Sequence, residues 1–217
     1  MADRVFFSKI DDQNRSDHSD LTADDECYFL FEYTSHKNYS FSKTNSLISN
    51  LKKRPSLRHT LQYQYKTNAI RGCGELLSAA INMQWLAGAT LVPVPPSKVR
   101  TDPEYDDRIL RICRAIQNAV DVRELVVQRH TLPADHESGG HRLSVEDLLD
   151  AYAIDESVAD PAPQSIGIVD DVLTNGRHFR AVKLTLQARF PGVDVAGFFI
   201  ARRVFPNPFE PVEVEPR

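Results

Sequence analysis

The chain has little cysteine, little excess charge of either sign and no long apolar run. Its three cysteines, Cys27, Cys73 and Cys113, are odd in number and far apart. That excludes a disulfide framework and a CxxC metal knuckle, and leaves buried thiols as the expectation. No stretch approaches the roughly 18 consecutive apolar residues that a membrane-crossing helix needs. The first residues, MADRVFFSKIDDQNRSDHSD, are polar and acidic, where a secretory leader would be basic and then apolar. An untargeted, cytoplasmic protein without membrane contact is expected. A net charge of −4 over 217 residues gives no general attraction for nucleic acid, so binding one would require a local basic patch.

What is present is a hydrophobic fraction of 41%, enough for one full domain with an extension. Residues 1–25 carry Asp11, Asp12, Asp17, Asp20, Asp24 and Asp25 with few apolar residues after Phe7, and read as a loose acidic arm. Cys27–Tyr33 is aromatic-rich and His59–Tyr65 alternates with period two, so both read as strands. Residues 26–65 are therefore expected to form a small β-rich hood. A short helix lies within it, and the basic stretch Lys52-Lys53-Arg54 reads as a solvated face.

From Thr67 to Trp85, Ile70, Cys73, Leu77 and Ile81 recur at helical spacing, and Gly88 is a plausible stop. The apolar run Thr90–Val94 follows, then a helical stripe through Ile109, Ile112, Cys113, Ile116 and Val120, then the strand Leu125–Val127. Residues 129–147 contain Pro133, Gly139 and Gly140 and read as a long functional loop. Strand Ile166–Val169, a helix through Phe179, Val182 and Leu186, and strand Val193–Ile200 complete a domain over residues 66–205, with a Pro-rich tail at 206–217. The alternation predicts an α/β, Rossmann-like parallel sheet, whose sites lie at the carboxyl ends of its strands.

The sharpest feature is Ile166-Gly167-Ile168-Val169-Asp170-Asp171-Val172-Leu173-Thr174-Asn175-Gly176-Arg177-His178. An apolar strand ends in two carboxylates, and a glycine-containing turn then opens a helix. Backbone N–H groups at a helix start bind phosphate, and a glycine lets the backbone approach it closely. Adjacent carboxylates accept hydrogen bonds from the vicinal hydroxyls of a sugar, or hold Mg²⁺. A receiver domain also pairs acids after a strand, but it needs three further βα units downstream, and only one helix and one strand follow here. Two smaller clusters read more plainly. Asp102–Arg108 looks like capping chemistry at a helix start, and His136 and His141 with Asp135 and Glu137 look like a solvated loop.

The segment from Ile166 to His178 resembles the 5-phosphoribosyl-pyrophosphate (PRPP) signature of type I phosphoribosyltransferases: an apolar strand, two acids, two apolar residues, then Thr-Thr-Gly-x-Thr. Asn175 stands at the second Thr, Arg177 at a usual Ala and His178 at the last Thr. Val92–Ser97 (VPVPPS) is similar to the Pro-Val-Pro pyrophosphate loop of the ComF-like branch. The 129–147 loop is similar to that branch's mobile catalytic loop, and Arg142–Ala153 to its Arg-x-x-Asn-Val-x-x-Ala-Phe stretch, with Val145 at the Asn. The resemblance covers about residues 66 to 205 and does not include the CxxC zinc module of many relatives.

What the resemblance implies is transfer of phosphoribose from PRPP to a nucleobase or other nitrogen acceptor, or its cleavage from one. The reaction uses Mg²⁺ and passes through an oxocarbenium-like transition state. Asp170 and Asp171 would hold the metal and the sugar, with His141 and Arg142 acting from the mobile loop. PRPP would be bound by Val172, Leu173, Thr174, Asn175, Gly176, Arg177 and His178, by Pro95, Pro96, Ser97 and Lys98, and by Arg202 and Arg203, with Arg129 nearby. Expected partners are PRPP or another nucleotide ligand, a second copy in a homodimer, and a protein meeting the acidic arm. Members of that branch are often encoded beside DNA-uptake or phage-defence genes. Two alternatives stay open: a nucleotide-sensing module without turnover, and an interaction protein on the same fold.

Overall fold

Strands that are apolar on both faces organise the chain. The computed structural model describes residues 5–117, 121–132 and 143–206. In order these form β1 (Ser8–Lys9), β2 (Glu26–Thr34), α1 (Lys43–Leu51), α2 (Gln62–Ala80), α3 (Met83–Leu86), β3 (Ala89–Pro93), α4 (Arg108–Ala115), β4 (Val126–Gln128), α5 (Val145–Ala151), β5 (Tyr152–Ile154), β6 (Ser165–Leu173), α6 (Arg177–Arg189) and β7 (Asp194–Val204). The central sheet runs β1-β2-β7-β6-β3, and only β1–β2 is antiparallel. The fold is therefore α/β with a mixed, mostly parallel sheet. Beyond β3, residues 121–123 add a short parallel bridge at Leu91–Val122. The β4–β5 hairpin forms a separate two-stranded sheet.

Two apolar cores lie on the sheet's two faces. One joins Ile48 and Leu51 of α1, Ile70, Cys73 and Leu77 of α2, and Ile109 and Ile112 of α4 to Leu91, Val169 and Ile200. The other joins Phe179, Val182 and Leu186 of α6 and Leu148 of α5 to Val92, Ile166, Ile168 and Phe199. The helical spacing read from Thr67 onward is the buried stripe of α2. That stripe packs so tightly that a Cβ on Gly74 would lie 2.5 Å from that of Ala115 in α4. All three cysteines are buried and free. No helix among the described residues is long and apolar enough to cross a membrane.

Four expectations change. His59–Tyr65 is not a strand, because a turn at Leu57–Thr60 leads into α2 at Gln62. Its alternating apolar residues do not mark burial, since Leu61 is 79% and Tyr65 60% exposed, and the helix started by the downstream stripe extends backwards through them cooperatively. Residues 26–65 do not form a β-rich hood. β2 lies within the central sheet, with Phe29 opposite Phe199 of β7, and the rest of the segment is helix and turn. Residues 145–147 of the expected loop belong to helix α5 (Val145–Ala151), initiated by a capping box between Ser144 and Asp147.

The fourth concerns the acidic arm, which is packed rather than loose. Ile10, His18, Leu21 and Asp25 are all buried. Asp25 accepts from Lys183 at 2.7 Å and from Arg180 at 3.2 Å, and its own backbone turn contributes Thr22 N–H at 2.8 Å. Burial opposes this carboxylate's charge, but Lys183, Thr22 and Arg180 together hold its pKa below the ordinary value. A depressed carboxylate stabilises the fold above its unfolded pKa, and the benefit is lost as pH falls through the folded one. Asp25→Ala is expected to cost about 3–5 kcal/mol at neutral pH, because it leaves two cations facing an uncompensated site. Urea denaturation of variant and parent measures this. A loss below about 1 kcal/mol, typical of exposed pairs, would mean that the arm is not held as described.

Candidate functional site

The site lies where the chain's direction across the sheet reverses. From β3 the chain passes outward to residues 121–123, whereas from β6 it passes the other way to β7. Such a switch point leaves a crevice at the strands' carboxyl ends. Here a cavity of about 280 Å³ is lined by Pro95, Pro96, Ser97 and Lys98 after β3, by Asp170, Asp171 and Val172 of β6, and by Thr174, Arg177 and His178. Lys52, Glu104, Asp106 and Arg108 complete its charged wall. The two aspartates lie within β6, which runs on to Leu173, rather than in a turn beyond it.

The turn that opens α6 requires its glycine. Gly176 has φ of 93°, in the left-handed region, and a Cβ there would lie 2.6 Å from Leu21. The arm also ties down the back of this turn: Asp20 N–H donates to the Asn175 carbonyl at 2.8 Å, and His18 Nδ1 bonds the Thr174 carbonyl. Arg177 is buried at the first position of α6 and donates to the Leu143 carbonyl at 2.5 Å. His178 Nδ1 meets the Tyr152 hydroxyl at 2.9 Å. Leu173, Asn175 and Gly176 shape the turn but do not line the cavity.

The two carboxylates have different partners. Asp171 accepts from Arg108 Nε at 2.9 Å; Arg108 Nη1 also meets Asp106 at 3.0 Å, and Asp106 takes the fully buried Lys66 Nζ at 2.6 Å. Burial alone would raise the Asp171 pKa, but Arg108 and Lys52 pull it well below the usual range. Asp170 shifts the opposite way: burial, with the neighbouring Asp171 charge, raises it, and Arg108 offsets only part. The pair therefore holds one firm charge and one more readily protonated carboxyl.

Arg202 and Arg203 are not brought to this cavity. Arg202 pairs with Asp17 at 3.0 Å and Glu32 at 2.5 Å, and Arg203 lies over Phe205 and donates to the Asp17 carbonyl at 3.5 Å. Arg129 lines a neighbouring cavity instead. His141, Arg142, His136, Asp135 and Glu137, and the tail beyond Pro206, lie outside the described residues. Sequence reasoning missed Lys52, Lys66, Asp106 and Arg108 as site residues. Asp106 and Arg108 belong to the cluster read as capping, and Lys52 to the stretch read as solvated. The available signal was an acid, Asp106, two residues before a base, Arg108, that opens the helix following the proline loop.

Among the described residues, no group of three or more His, Cys, Asp or Glu side chains could hold a metal. With Asp171 committed to Arg108, the residues fit a divalent ion only when most ligands come from water and phosphate oxygens, the usual situation for Mg²⁺. No protein-family model matches the chain, and no curated protein matches it.

His18 makes the turn's support pH-sensitive. Burial holds its imidazole below its ordinary 6.5, with Arg202 and Arg203 adding to the effect while the Thr174 carbonyl and Asp17 oppose it. Because the folded state favours neutral His18, its stabilising effect is complete above the unfolded pKa and is lost as pH falls through that value towards the folded one. Between about pH 7.5 and about pH 5.5, the parent's Tm is expected to fall more than that of His18→Gln, measured by scanning calorimetry. Parallel curves would show that His18 does not titrate in this window.

Proposed function

We propose that the chain is a PRPP-binding, phosphoribosyltransferase-like protein that moves phosphoribose to, or cleaves it from, a nitrogen acceptor. One observation carries this reading. The adjacent carboxylates of Asp170 and Asp171 share a switch-point cavity with the glycine turn at the start of α6 and with the Pro95–Lys98 segment. A sugar and phosphates at both its ends need this combination. In this reading the backbone amides at Thr174, Arg177 and His178 take the 5-phosphate, aided by the helix dipole. Asp170 and Asp171 accept the ribose hydroxyls, and Lys52 and Lys98 attract the pyrophosphate.

The reaction breaks the bond between C1 and the pyrophosphate oxygen, whose electron pair leaves with pyrophosphate. A C–N bond forms to the acceptor, which releases its proton. Magnesium arriving with PRPP would supply countercharge to the leaving group. Lys52 and Lys98 add to that electrostatic stabilisation. The Arg108 ion pair keeps Asp171 anionic and oriented, so that it accepts hydroxyl hydrogen bonds rather than donating.

A second reading, binding without turnover, is favoured by the prior commitment of site cations. Arg108 is held by Asp171 and Asp106, and Arg177 by Leu143. In that case PRPP would bind and no acceptor would yield pyrophosphate.

Calorimetric titration tests the site. PRPP with Mg²⁺ is expected to bind, and both Asp171→Asn and Asp170→Asn are expected to weaken it at least about tenfold, or about 1.4 kcal/mol. Circular dichroism of each variant separates this from unfolding. Parent-like affinity in a folded Asp171→Asn protein would sink the assignment of the site, and pyrophosphate release across an acceptor panel separates the two readings.

A further inference from the structure

From Tyr33 to Gly74 the chain contains no aspartate or glutamate, although its own average places about six acids in a stretch of that length. The segment holds eight Lys and Arg, so it carries a formal charge of +8 while the rest of the chain carries −12. It runs from the end of β2 through α1 and most of α2. Of these eight cations only Lys66, with Asp106, and Arg71, with Glu75, have an ion-pair partner among the described residues. Lys37, Lys43, Lys52, Arg54 and Arg58 are exposed, and Lys53 is half-buried. At physiological ionic strength exposed charges are screened beyond about 8 Å, so acids more distant than that leave the local excess in place.

Exposed rings stand among these cations. The first turns of α2 present Leu61, Gln64, Tyr65 and Asn68 to solvent, at the i, i+3, i+4 and i+7 spacing of one helix face. Leu61 and Tyr65 belong to neither apolar core. Lys53 Nζ lies 5.8 Å from the centre of the Tyr65 ring, and ahead of α1 Lys37 Nζ lies 5.2 Å from that of Phe41. A second, more open cavity of about 510 Å³ adjoins the same helix face, lined by Arg58, His59, Leu61, Tyr63, Gln64 and Asn68.

We infer that this face of α2, with the basic turn before it, binds single-stranded nucleic acid. The inference goes beyond the function proposed above and does not rest on it. Cations spaced along a surface follow the phosphates of a strand, and rings beside them stack its unpaired bases. Gln64, Asn68 and His59 add donors and acceptors for base edges. The aromatic and amide side chains select this occupant among polyanions. A duplex keeps its bases stacked on one another and leaves exposed rings idle. An anionic bilayer takes a continuous apolar helix face, whereas here Leu61 and Tyr65 share their face with two amides. Lys52, next in the chain to Lys53, lines the first cavity, so this surface borders the proposed phosphoribosyl site.

The test is fluorescence anisotropy of the whole protein with a labelled single strand of mixed sequence and about twenty nucleotides, enough to cover one site. The strand is expected to bind, with affinity falling steeply between about 50 and about 200 mM salt. Replacing Lys53, Arg54 and Arg58 together by Gln is expected to weaken binding at least about tenfold and to lower the salt slope by about two. Tyr65→Ala is expected to weaken it at least about fivefold at unchanged slope, and Tyr65→Phe, which keeps the ring, to match the parent. Arg189→Gln, on the opposite face of the sheet, serves as the charge control and is expected to bind like the parent. Lys52 stays intact in every variant, and circular dichroism confirms folding. Unlabelled duplex, polyglutamate and vesicles of equal parts phosphatidylserine and phosphatidylcholine are expected to displace the strand less well, charge for charge, than unlabelled single strand. No binding at the lower salt, parent-like affinity in the folded triple variant or in Tyr65→Ala, or better displacement by any of the three competitors overturns the inference. Failure of the phosphoribosyl reading registers separately, in the PRPP titration.

Discussion

The ion pair between Arg108 and Asp171 joins the two halves of the site. Asp171 belongs to the central strand β6, whereas Arg108 opens α4, which covers one face of the sheet. Removing either partner would leave a charge in a nearly closed environment, where its desolvation goes uncompensated. Asp106 and the buried Lys66 extend the same interaction to α2. Cations and anions alternate along the chain Lys66–Asp106–Arg108–Asp171, so each charge is screened by its neighbours. The helices on this face therefore have their positions set relative to the carboxyl end of β6 by electrostatics as well as by apolar packing.

The opposite side of the turn is held by the N-terminal segment. Its acids resemble a solvated tail in composition, yet Asp17 and Asp25 face Arg202, Arg180 and Lys183 of the following layers. Leu21 fills the space left by the missing side chain of Gly176, and two hydrogen bonds reach the carbonyls of Thr174 and Asn175. Satisfying these carbonyls holds the turn in place from the side of the N-terminal segment. It also explains why Arg202 and Arg203, at the carboxyl end of a neighbouring strand, serve the segment rather than the cavity.

Apolar periodicity made the main strands, α2 and the helix after β6 legible, because in a sheet covered on both faces burial and hydrophobicity coincide. The turn that opens α6 was legible from Gly176. Where side-chain chemistry and burial diverge, the same reasoning misleads. Leu61 and Tyr65 are apolar but exposed, so they simulated a strand. His18 and Asp25 are polar but buried, so composition assigned their segment to solvent, and Lys66, equally buried, gave no sign of its role. Such residues are buried because partners from remote parts of the chain satisfy them, at separations such as Lys66 to Asp106 or Asp25 to Lys183, and no local window contains both members. The helix after Ser144 differs: its capping box is local, and the signal was present but was outweighed by the glycines preceding it.

The charges of the first cavity constrain what it holds. Lys52, Lys98, Arg108 and Arg177 line it on one side of the balance, and Glu104, Asp106, Asp170 and Asp171 on the other. The acids are not equally available. Asp171 and Asp106 are bound to Arg108, and Asp170 is the carboxyl that burial and its neighbour make most ready to take a proton. Lys52 and Lys98, by contrast, have no ion-pair partner among the described residues. The cavity therefore combines cations that form no ion pair, with Lys52 acting on Asp170 and Asp171 through its field, and acids of which Asp106 and Asp171 are bound to Arg108. In the phosphoribosyl reading proposed above, that distribution would suit a ligand with hydroxyls at its centre and phosphates at its ends. In that reading, a metal would be drawn in by the ligand's phosphates more than by the protein's carboxylates, so metal affinity would depend on occupancy by the anion.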